Sequence, residues 1–298
     1  MTVATLPTPL VSVTWLAEHL GAPGLGAPGL GAPRVRVIDA SMYLPNAGRD
    51  ARAEYQTAHI PGSVFCDIGW ISDETAPFPH TLPSAAVFAQ RMGSIGVGST
   101  DAVVVYDSSG QNYSAPRVWW MLRTFGHERV AVLDGGLPKW IADGHATTAD
   151  ATEIVPATFA AQLHSIRVRD VQAMRRNVDS PSDQVVDARS PGRFQATEPE
   201  PRAGVRGGHI PHSVNVHYAT LVREDGTMRA ADDVRRIIAD AHLDLTKPIT
   251  ASCGTGVTAC AVILALESIG VTNTAIYDGS WTEWGSLHDT PIDTGPAT

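Results

Sequence analysis

The sequence predicts an α/β protein built from two tandem domains, each a mainly parallel sheet flanked by helices. Short apolar runs typical of buried strands alternate with helical patterns along the chain, which is the order found in parallel sheets covered on both faces. Four motifs then return in the same order at offsets of 144–150 residues, which indicates a duplicated domain. The predicted boundaries are residues 1–146 for the N-terminal domain, 147–164 for a linker and 165–298 for the C-terminal domain.

The elements of the first half follow from local patterns. Apolar residues of the last predicted helix fall on one face at the 0, 3, 4, 7 spacing, and the Gly-Ala-Pro repeat at Gly21–Pro33 predicts a loop or flexible insertion. In chain order the predictions are a helix at Val11–Leu20, a strand at Val35–Asp39, a helix at Ala51–Ala58, an irregular stretch to Pro83, a helix at Ala85–Met92, a strand at Val103–Tyr106, a helix at Ser114–Phe125 and a strand at Val130–Leu133.

The second half repeats this order. The matching segments are Val37–Ala40 with Val185–Ala188, His59–Val64 with His209–Val214, Val103–Gly110 with Ile249–Thr258, and Leu133–Trp140 with Tyr277–Trp284. Asp107 therefore takes the place of Cys253. An aspartate there cannot accept a sulfur atom, so we expect one half to carry a nucleophile and the other to contribute walls and contacts to one cleft between the domains.

Cys253 follows an apolar strand and precedes a helical pattern at Ala259–Ser268. Successive N–H groups in such a turn form an anion-binding nest, and the helix start adds partial positive charge, so both favour the nucleophilic thiolate. Gly254 and Gly256 let the backbone wrap a small anion, with Val257 and Thr258 completing the loop. The alternative interpretation is a buried structural cysteine, which is the prediction for Cys66 and Cys260.

Composition excludes several classes of partner. The net charge of −9 provides no general attraction for nucleic acid, and no apolar stretch is long enough to span a membrane. Three cysteines cannot form a paired framework, which favours a reducing compartment, and the first residues resemble neither a secretory signal nor a transit peptide. We therefore expect a cytoplasmic protein, with a monomer as the simplest case. No His/Cys/Asp set has metal-ligand spacing, and no nucleotide-binding glycine motif is present, so we expect no metal or cofactor.

At these motifs the chain resembles the two-domain rhodanese-type sulfurtransferases, and the resemblance covers nearly the whole chain. Each half is then expected to be a rhodanese-like domain. The resemblance rests on the two HIPG-type segments and on Ser114–Trp120, Gly192-Arg193-Phe194, Thr197–Arg202 and Asp278–Trp281. Family members that prefer thiosulfate carry a basic C-R-K-G-V-T loop, whereas those that prefer 3-mercaptopyruvate carry a neutral loop of the kind found at Cys253–Thr258.

The resemblance also implies the remaining site residues. Two family arginines that bind the donor carboxylate match Arg193 and Arg202, and a planar guanidinium suits a carboxylate. Thr255 matches a loop hydroxyl near the substrate carbonyl, and His80 matches a histidine close to it. The acidic partner of that histidine falls at Gly69, so this chain departs from a full hydroxyl–histidine–acid relay.

Tyr113 and Arg117 match family residues at the cleft. Each of these polar residues has a plainer alternative: a surface arginine, a turn threonine, an exposed loop histidine or a structural ion pair.

The resemblance implies sulfur transfer by double displacement through a Cys253 persulfide. The donor would be 3-mercaptopyruvate, with thiosulfate as the alternative, and the acceptor a thiol, cyanide or a thioredoxin-like protein. A cysteine phosphatase needs an arginine shortly after the cysteine (the C-x5-R pattern), and here Thr258 and Ala259 occupy those positions. A sulfur-carrier module that turns nothing over is the non-enzymatic alternative.

Overall fold

The computed structural model describes residue 6 and residues 9–20, 35–44 and 47–297. The chain forms two compact units. Unit 1 holds the described residues of Met1–Ser72, Pro83–Leu163 and Val222–Met228, and unit 2 those of Asp73–Leu82, His164–Leu221 and Arg229–Thr298. The Gly-Ala-Pro repeat at Gly21–Pro33 lies outside the described residues.

Unit 1 contains a five-stranded, all-parallel sheet in the order β1-β5-β4-β2-β3. Its strands are β1 Leu10–Val11, β2 Val35–Asp39, β3 Val64–Phe65, β4 Ala102–Tyr106 and β5 Val130–Leu133. Its helices are α1 Val13–His19, α2 Ala51–Thr57, α3 Ile68–Ile71, α4 Ala85–Ser94, α5 Ala115–Thr124 and α6 Gly136–Ala142. Every residue of β4 is buried, which explains its unbroken apolar sequence.

Unit 2 has the same topology, with the strand order β6-β10-β9-β7-β8 and parallel pairing throughout. Its strands are β6 Val168–Arg169, β7 Gln184–Asp187, β8 Ser213–Asn215, β9 Ile249–Ser252 and β10 Thr274–Tyr277. Its helices are α7 Val171–Asp179, α8 Pro191–Phe194, α9 Ala231–Asp240, α10 Ala259–Ser268 and α11 Ser280–Ser286, with 3-10 turns at Ser165–Arg167 and Tyr218–Leu221. The two five-stranded parallel sheets confirm the predicted fold class and the internal repeat.

Each unit includes one short segment from the other half of the sequence. In unit 2 the Leu82 N–H donates to Asp278 Oδ2 at 2.7 Å. In unit 1 the Met228 N–H donates to Asp134 Oδ1, also at 2.7 Å. Because Asp134 and Asp278 occupy the same place in the repeat, the two segments are held by equivalent bonds.

Most predicted strands and helices of the first half are confirmed within one or two residues, but two details differ. Helix α1 spans only Val13–His19, because the Ser12 hydroxyl accepts the Trp15 N–H and so begins the helix there. The stretch predicted to be irregular contains β3 and α3, whose start is capped by Asp67. The predicted domain boundaries stay a prediction. The contacts assign Asp73–Leu82 and Val222–Met228 to the unit opposite their place in the sequence.

Candidate active site

Cys253 lies directly after β9, at the carboxyl end of a central strand of unit 2, and α10 begins six residues later. Its thiol is free and the residue is 1% exposed. The Cys253 N–H donates to Ser280 Oγ at 3.2 Å, and the same hydroxyl donates to the Tyr277 carbonyl. Ser280 has a φ of +50°, an uncommon conformation for a residue with a side chain, so the turn that holds Cys253 is locally strained.

The first residues of α11 fix the carbonyl groups of the Cys253 loop. Trp281 N–H donates to the Cys253 carbonyl, while the Thr282 N–H and hydroxyl both donate to the Gly254 carbonyl. In a trans peptide the C=O and the following N–H point in opposite directions. The N–H groups of Gly254 and Thr255 therefore point away from α11, as an anion-binding loop requires.

The rest of the loop continues this arrangement. The Cys260 thiol donates to the Gly256 carbonyl at 3.2 Å, and Gly256 has a φ of +75°, which favours glycine. Val257 is buried, and the Thr258 side chain makes no capping bond at the start of α10. In the first turn of α10 the Cys260 and Ala261 N–H groups donate to the Val257 and Thr258 carbonyls, both at 3.1 Å. The start of the helix still contributes partial positive charge next to the loop. Cys260 is buried within α10, as predicted for a structural cysteine.

Thr255 and His80 lie next to each other in unit 2. His80 Nδ1 and Thr255 Oγ1 are 2.9 Å apart, and which atom donates depends on the histidine tautomer. His80 has a φ of +64°, and two residues later Leu82 is held by Asp278. The structure thus brings together two residues that are 175 positions apart in sequence.

The acidic position of the predicted relay lies elsewhere. Gly69 belongs to α3 in unit 1. The nearby Asp67 carboxylate accepts the Trp70 N–H, and Asp73 accepts hydrogen bonds from Thr75.

Arg193 lies on the short helix α8, beside the Cys253 loop. A Cβ atom on Gly254 would lie 3.2 Å from Arg193 Nη2, so the guanidinium is in close range of the loop backbone. Two hydrogen bonds join Arg193 to Glu200: Nη2 to Oε2 at 2.7 Å and Nε to Oε1 at 3.3 Å. Arg193 remains 22% exposed at its side chain, whereas Glu200 is only 4% exposed.

Glu200 also bonds Arg189, whose Nη1 lies 2.7 Å from Glu200 Oε1. Arg189 in turn pairs with Asp187 through Nε and Nη2. Burial is the largest single influence and lowers the pKa of Arg189, but the charges and hydrogen bonds of Asp187 and Glu200 together outweigh it and raise that pKa. The sequence did not single out Arg189 or Glu200, although Glu200 lies in the Thr197–Arg202 motif and Arg189 directly follows the Val185–Ala188 motif.

The other predicted site residues have different surroundings. Arg202 is half-buried and makes no hydrogen bond or ion pair with any residue that the structure describes. Tyr113 and Arg117 belong to unit 1, where the Tyr113 hydroxyl donates to the Met42 carbonyl at 2.6 Å. Arg117 is fully buried in α5, with its guanidinium 4.9 Å from the centre of the Trp120 ring. Substrate binding by these three residues stays a prediction.

The matching position in unit 1 is occupied by a carboxylate. Asp107 Oδ2 accepts the N–H groups of Ser114 and Ala115 at 2.9 Å, at the start of α5. Asp107 Oδ1 accepts the Ser109 N–H and hydroxyl. The side chain thus fills the anion position of its own loop, a role that the sequence did not reveal.

The described ranges contain no group of three or more His, Cys, Asp or Glu residues arranged to hold a metal ion. Among the same residues no helix has both the length and the apolar character needed to cross a bilayer.

Comparison with known proteins gives consistent matches. The rhodanese-like domain family matches residues 29–143 and 170–287. The chain is 45% identical to human 3-mercaptopyruvate sulfurtransferase, covering 92% of this chain and 91% of that protein. It is 42% identical to thiosulfate sulfurtransferase of Cricetulus griseus, covering 96% and 94%.

A solved structure agrees. SseA from Escherichia coli, described as a 3-mercaptopyruvate sulfotransferase, matches with a TM-score of 0.81 at 39% identity, over 92% of this chain and 99% of that chain. The two parallel sheets, the repeated motifs and these matches lead to one conclusion: the chain belongs to the rhodanese-like family and contains two rhodanese-like domains.

Proposed function

We propose that this protein is a 3-mercaptopyruvate sulfurtransferase, which moves the donor sulfur through a Cys253 persulfide to a thiol or cyanide. The observation that carries the proposal is the Arg193 guanidinium beside the uncharged Cys253 loop. A donor with a carboxylate at one end and a thiol at the other needs one cation at a distance from the nucleophile. Arg193 supplies that cation, because its planar fork binds carboxylates well.

In the first half-reaction the Cys253 thiolate attacks the thiol sulfur of 3-mercaptopyruvate. A sulfur–sulfur bond forms as the carbon–sulfur bond breaks, and the electron pair of that bond passes to the carbonyl, giving pyruvate enolate. The proton of the donor thiol ends on the enolate carbon, so pyruvate leaves and an anionic persulfide remains. The N–H groups of the loop stabilise that charge. The Thr255–His80 pair, joined at 2.9 Å, is suited to donate to the carbonyl oxygen and relay the proton.

In the second half-reaction the acceptor attacks the outer sulfur of the persulfide. Cyanide leaves as thiocyanate and a thiol leaves as a persulfide, and in both cases the Cys253 thiolate is regenerated. All of this chemistry uses side chains and backbone of the chain itself. A thioredoxin-like acceptor, a monomeric state and a cytoplasmic location stay predictions from the sequence.

Thiosulfate sulfurtransferase is the second candidate, favoured by the 42% identity to an enzyme of that name. The backbone cradle at Cys253 suits a compact dianion as well. The missing element is a cation within the loop itself, since Gly254 and Thr255 stand where the basic loop has charged residues.

Steady-state sulfur transfer to cyanide, with both donors side by side, tests the proposal. We expect kcat/KM to favour 3-mercaptopyruvate by at least ten-fold, or about 1.4 kcal/mol in transition-state free energy. We expect Arg193→Ala to reduce kcat/KM for this donor by about 100-fold, in line with the loss of charge-assisted hydrogen bonds. Arg176→Ala, an exposed arginine of α7, is the control. A preference for thiosulfate would refute the assigned donor, and no turnover of either donor by folded protein would refute the enzyme class.

A further inference from the structure

The Glu200 carboxylate is shared by two guanidinium groups. Oε1 accepts hydrogen bonds from Arg189 Nη1 and Arg193 Nε, and Oε2 accepts one from Arg193 Nη2. A carboxylate that is 4% exposed and bonded on both sides has little freedom to turn. Glu200 therefore transmits the position of one arginine to the other.

Arg189 provides the fixed end of this chain of contacts. Its side chain is fully buried, both edges of its fork bond acceptors, and its central carbon lies 4.4 Å from the centre of the Trp281 ring. The acceptors are the Asp187 carboxylate, the Gly208 carbonyl and Glu200. The backbone N–H of Trp281 also donates to the Cys253 carbonyl, so Trp281 contacts both Arg189 and the Cys253 loop.

Arg193 is the end of this chain of contacts that lies beside the Cys253 loop. Glu200 holds the edge of the guanidinium that carries Nε and one N–H of Nη2. The opposite edge carries Nη1 and the second N–H of Nη2. Both of these nitrogens lie within 4 Å of a Cβ position on Gly254, next to the Cys253 loop. An arginine without such an anchor samples many rotamers and loses that freedom when it binds a ligand.

The charges of this cluster also balance. Asp187 and Glu200 offset Arg189 and Arg193, so the four ionised side chains sum to zero. The cluster then offers directed hydrogen bonds rather than a strong positive field. Such a site favours a donor with one distant carboxylate over a compact dianion, whose binding depends more on local charge.

We propose that Glu200 is a positioning residue for donor recognition: it holds Arg193 at a fixed distance and orientation from the Cys253 loop, which selects donors with one carboxylate remote from the transferred sulfur. The proposal rests on the function proposed above and deepens it. Glu200 acts only through Arg193 and touches neither the sulfur nor the thiolate.

Glu200→Gln keeps the shape of the side chain and removes its charge. We expect KM for 3-mercaptopyruvate to rise about ten-fold with little change in kcat, and kcat/KM for thiosulfate to stay within about three-fold. Glu198→Gln is the matched control, because Glu198 lies in the same segment and its carboxylate accepts from the Ser190 hydroxyl. An unchanged KM in Glu200→Gln would overturn the proposal.

A double-substitution cycle tests whether the effect passes through Arg193. In an Arg193→Ala background we expect Glu200→Gln to leave KM unchanged, because the group that it positions is absent. An undiminished effect there would also overturn the proposal. If Glu200→Gln does not fold, Glu200→Asp retains the charge for Arg189 but is too short to bond both arginines, and the same change in KM is expected.

A second measurement needs no donor. Phenylglyoxal modifies guanidinium groups, and peptide mass spectrometry reports the rate at Arg193 alone. We expect this rate to rise about ten-fold in Glu200→Gln, because the carboxylate no longer shields one edge, and to stay unchanged in Glu198→Gln. If the wild-type protein turned over neither donor, the proposed function would fail while this rate still decided the role of Glu200. Equal rates in wild type and Glu200→Gln would refute it.

Discussion

The two units have the same strand order, yet they use the end of the central strand of the sheet, β4 or β9, in opposite ways. In unit 1 the Asp107 carboxylate occupies the N–H groups at the start of α5. In unit 2 the same place carries Cys253, whose loop carbonyls are turned toward α11. One duplicated loop therefore carries its own permanent anion, whereas in the proposed reaction the other binds an anion that forms on Cys253.

A second difference lies two residues beyond the end of β2 and β7. Asp187 is paired with Arg189, which continues the charge network to Glu200 and Arg193. The matching Asp39 has Ser41 in place of the arginine. Burial raises the pKa of Asp39 to about 6, because the hydroxyl and N–H groups around it compensate only part of the lost hydration.

The short segments that each unit takes from the other half of the sequence, Asp73–Leu82 and Val222–Met228, also differ between the units. His80 and Gly226 both have positive φ, and each precedes by two residues the N–H that bonds the aspartate of the repeat. Glycine adopts this conformation without strain, whereas histidine does not. In unit 2 the strained residue bonds Thr255, two residues after Cys253, and a role of its imidazole in the reaction stays a prediction.

The largest expected effect is on activity and comes from replacing Cys253, which stands where unit 1 has Asp107. We expect Cys253→Ser to reduce sulfur transfer by at least about 1,000-fold, because a serine hydroxyl is not ionised and cannot carry the persulfide. Unfolding by urea should be nearly unchanged, since the Cys253 contacts of the loop are made by its backbone. The measurement is thiocyanate formation together with mass spectrometry for a persulfide on the protein. Retention of more than a few per cent of the activity would contradict Cys253 as the nucleophile.

Asp39→Asn and Asp187→Asn, at the ends of β2 and β7, should change the stability of their units in opposite directions. Because the native pKa of Asp39 lies near 6, above the ordinary 3.8, the native state binds more protons between these pH values. The contribution of Asp39 to the stability of unit 1 is then greatest below about pH 4, and it falls by roughly 3 kcal/mol as the pH rises through 6. Asp39→Asn should remove this loss and stabilise unit 1 at neutral pH. Asp187→Asn should destabilise unit 2 by about 3–5 kcal/mol, because it leaves the buried Arg189 without its main partner.

Hydrogen exchange measures the two units separately, through the amides of β4 in unit 1 and β9 in unit 2. The wild-type protein serves as the control at pH 4 and pH 7 for each variant. Equal pH dependence of β4 protection in wild type and Asp39→Asn would contradict the role of Asp39. Unchanged protection of β9 in Asp187→Asn would contradict the ion pair as a stabilising contact.

A smaller effect is expected for Asp107→Asn. The asparagine keeps one acceptor but turns an amide NH₂ toward N–H groups, so we expect a loss of about 2 kcal/mol in the stability of unit 1. Urea unfolding and protection of α5 amides measure it, with the exposed Asp150→Asn as the control. Sulfur transfer per folded molecule should be unchanged, because the substitution affects unit 1 alone. Full stability in Asp107→Asn would show that its carboxylate is not the internal anion of this loop.

These comparisons also explain what the sequence could and could not predict. The strands and the repeat were predictable because runs such as Val103–Val105 and the paired HIPG motifs are local in sequence. The place of His80 in unit 2 was not, because the bond that holds its segment joins Leu82 to Asp278 across 196 positions and uses a backbone N–H. No side-chain pattern marks such a bond.

The ion pairs of Glu200 with Arg189 and Arg193 could not be predicted from the sequence either. The segment Thr197–Arg202 contains glutamates and prolines, which are typical of an exposed loop, so nothing local distinguishes the bonded Glu200 from the exposed Glu198. The family resemblance predicted Arg193, whereas its partner Glu200 could be identified only from the three-dimensional contacts. Asp107 likewise was predicted only as an absent nucleophile, since its bonds to Ser114 and Ala115 depend on how α5 begins.

The smallest expected effect concerns the hydroxyl that unit 2 keeps close to its nucleophile. Thr255→Val removes the group bonded to His80 Nδ1, and we expect kcat with 3-mercaptopyruvate to fall about ten-fold with little change in KM, as for the loss of a proton relay. Thr255→Ser should restore the rate, because it retains the hydroxyl. His80→Ala should add nothing further in the Thr255→Val background, since the two groups act as one pair. If Thr255→Val keeps the wild-type kcat, or if the two losses multiply, the pair does not act as a relay, and the positive φ of His80 serves only the path of the chain.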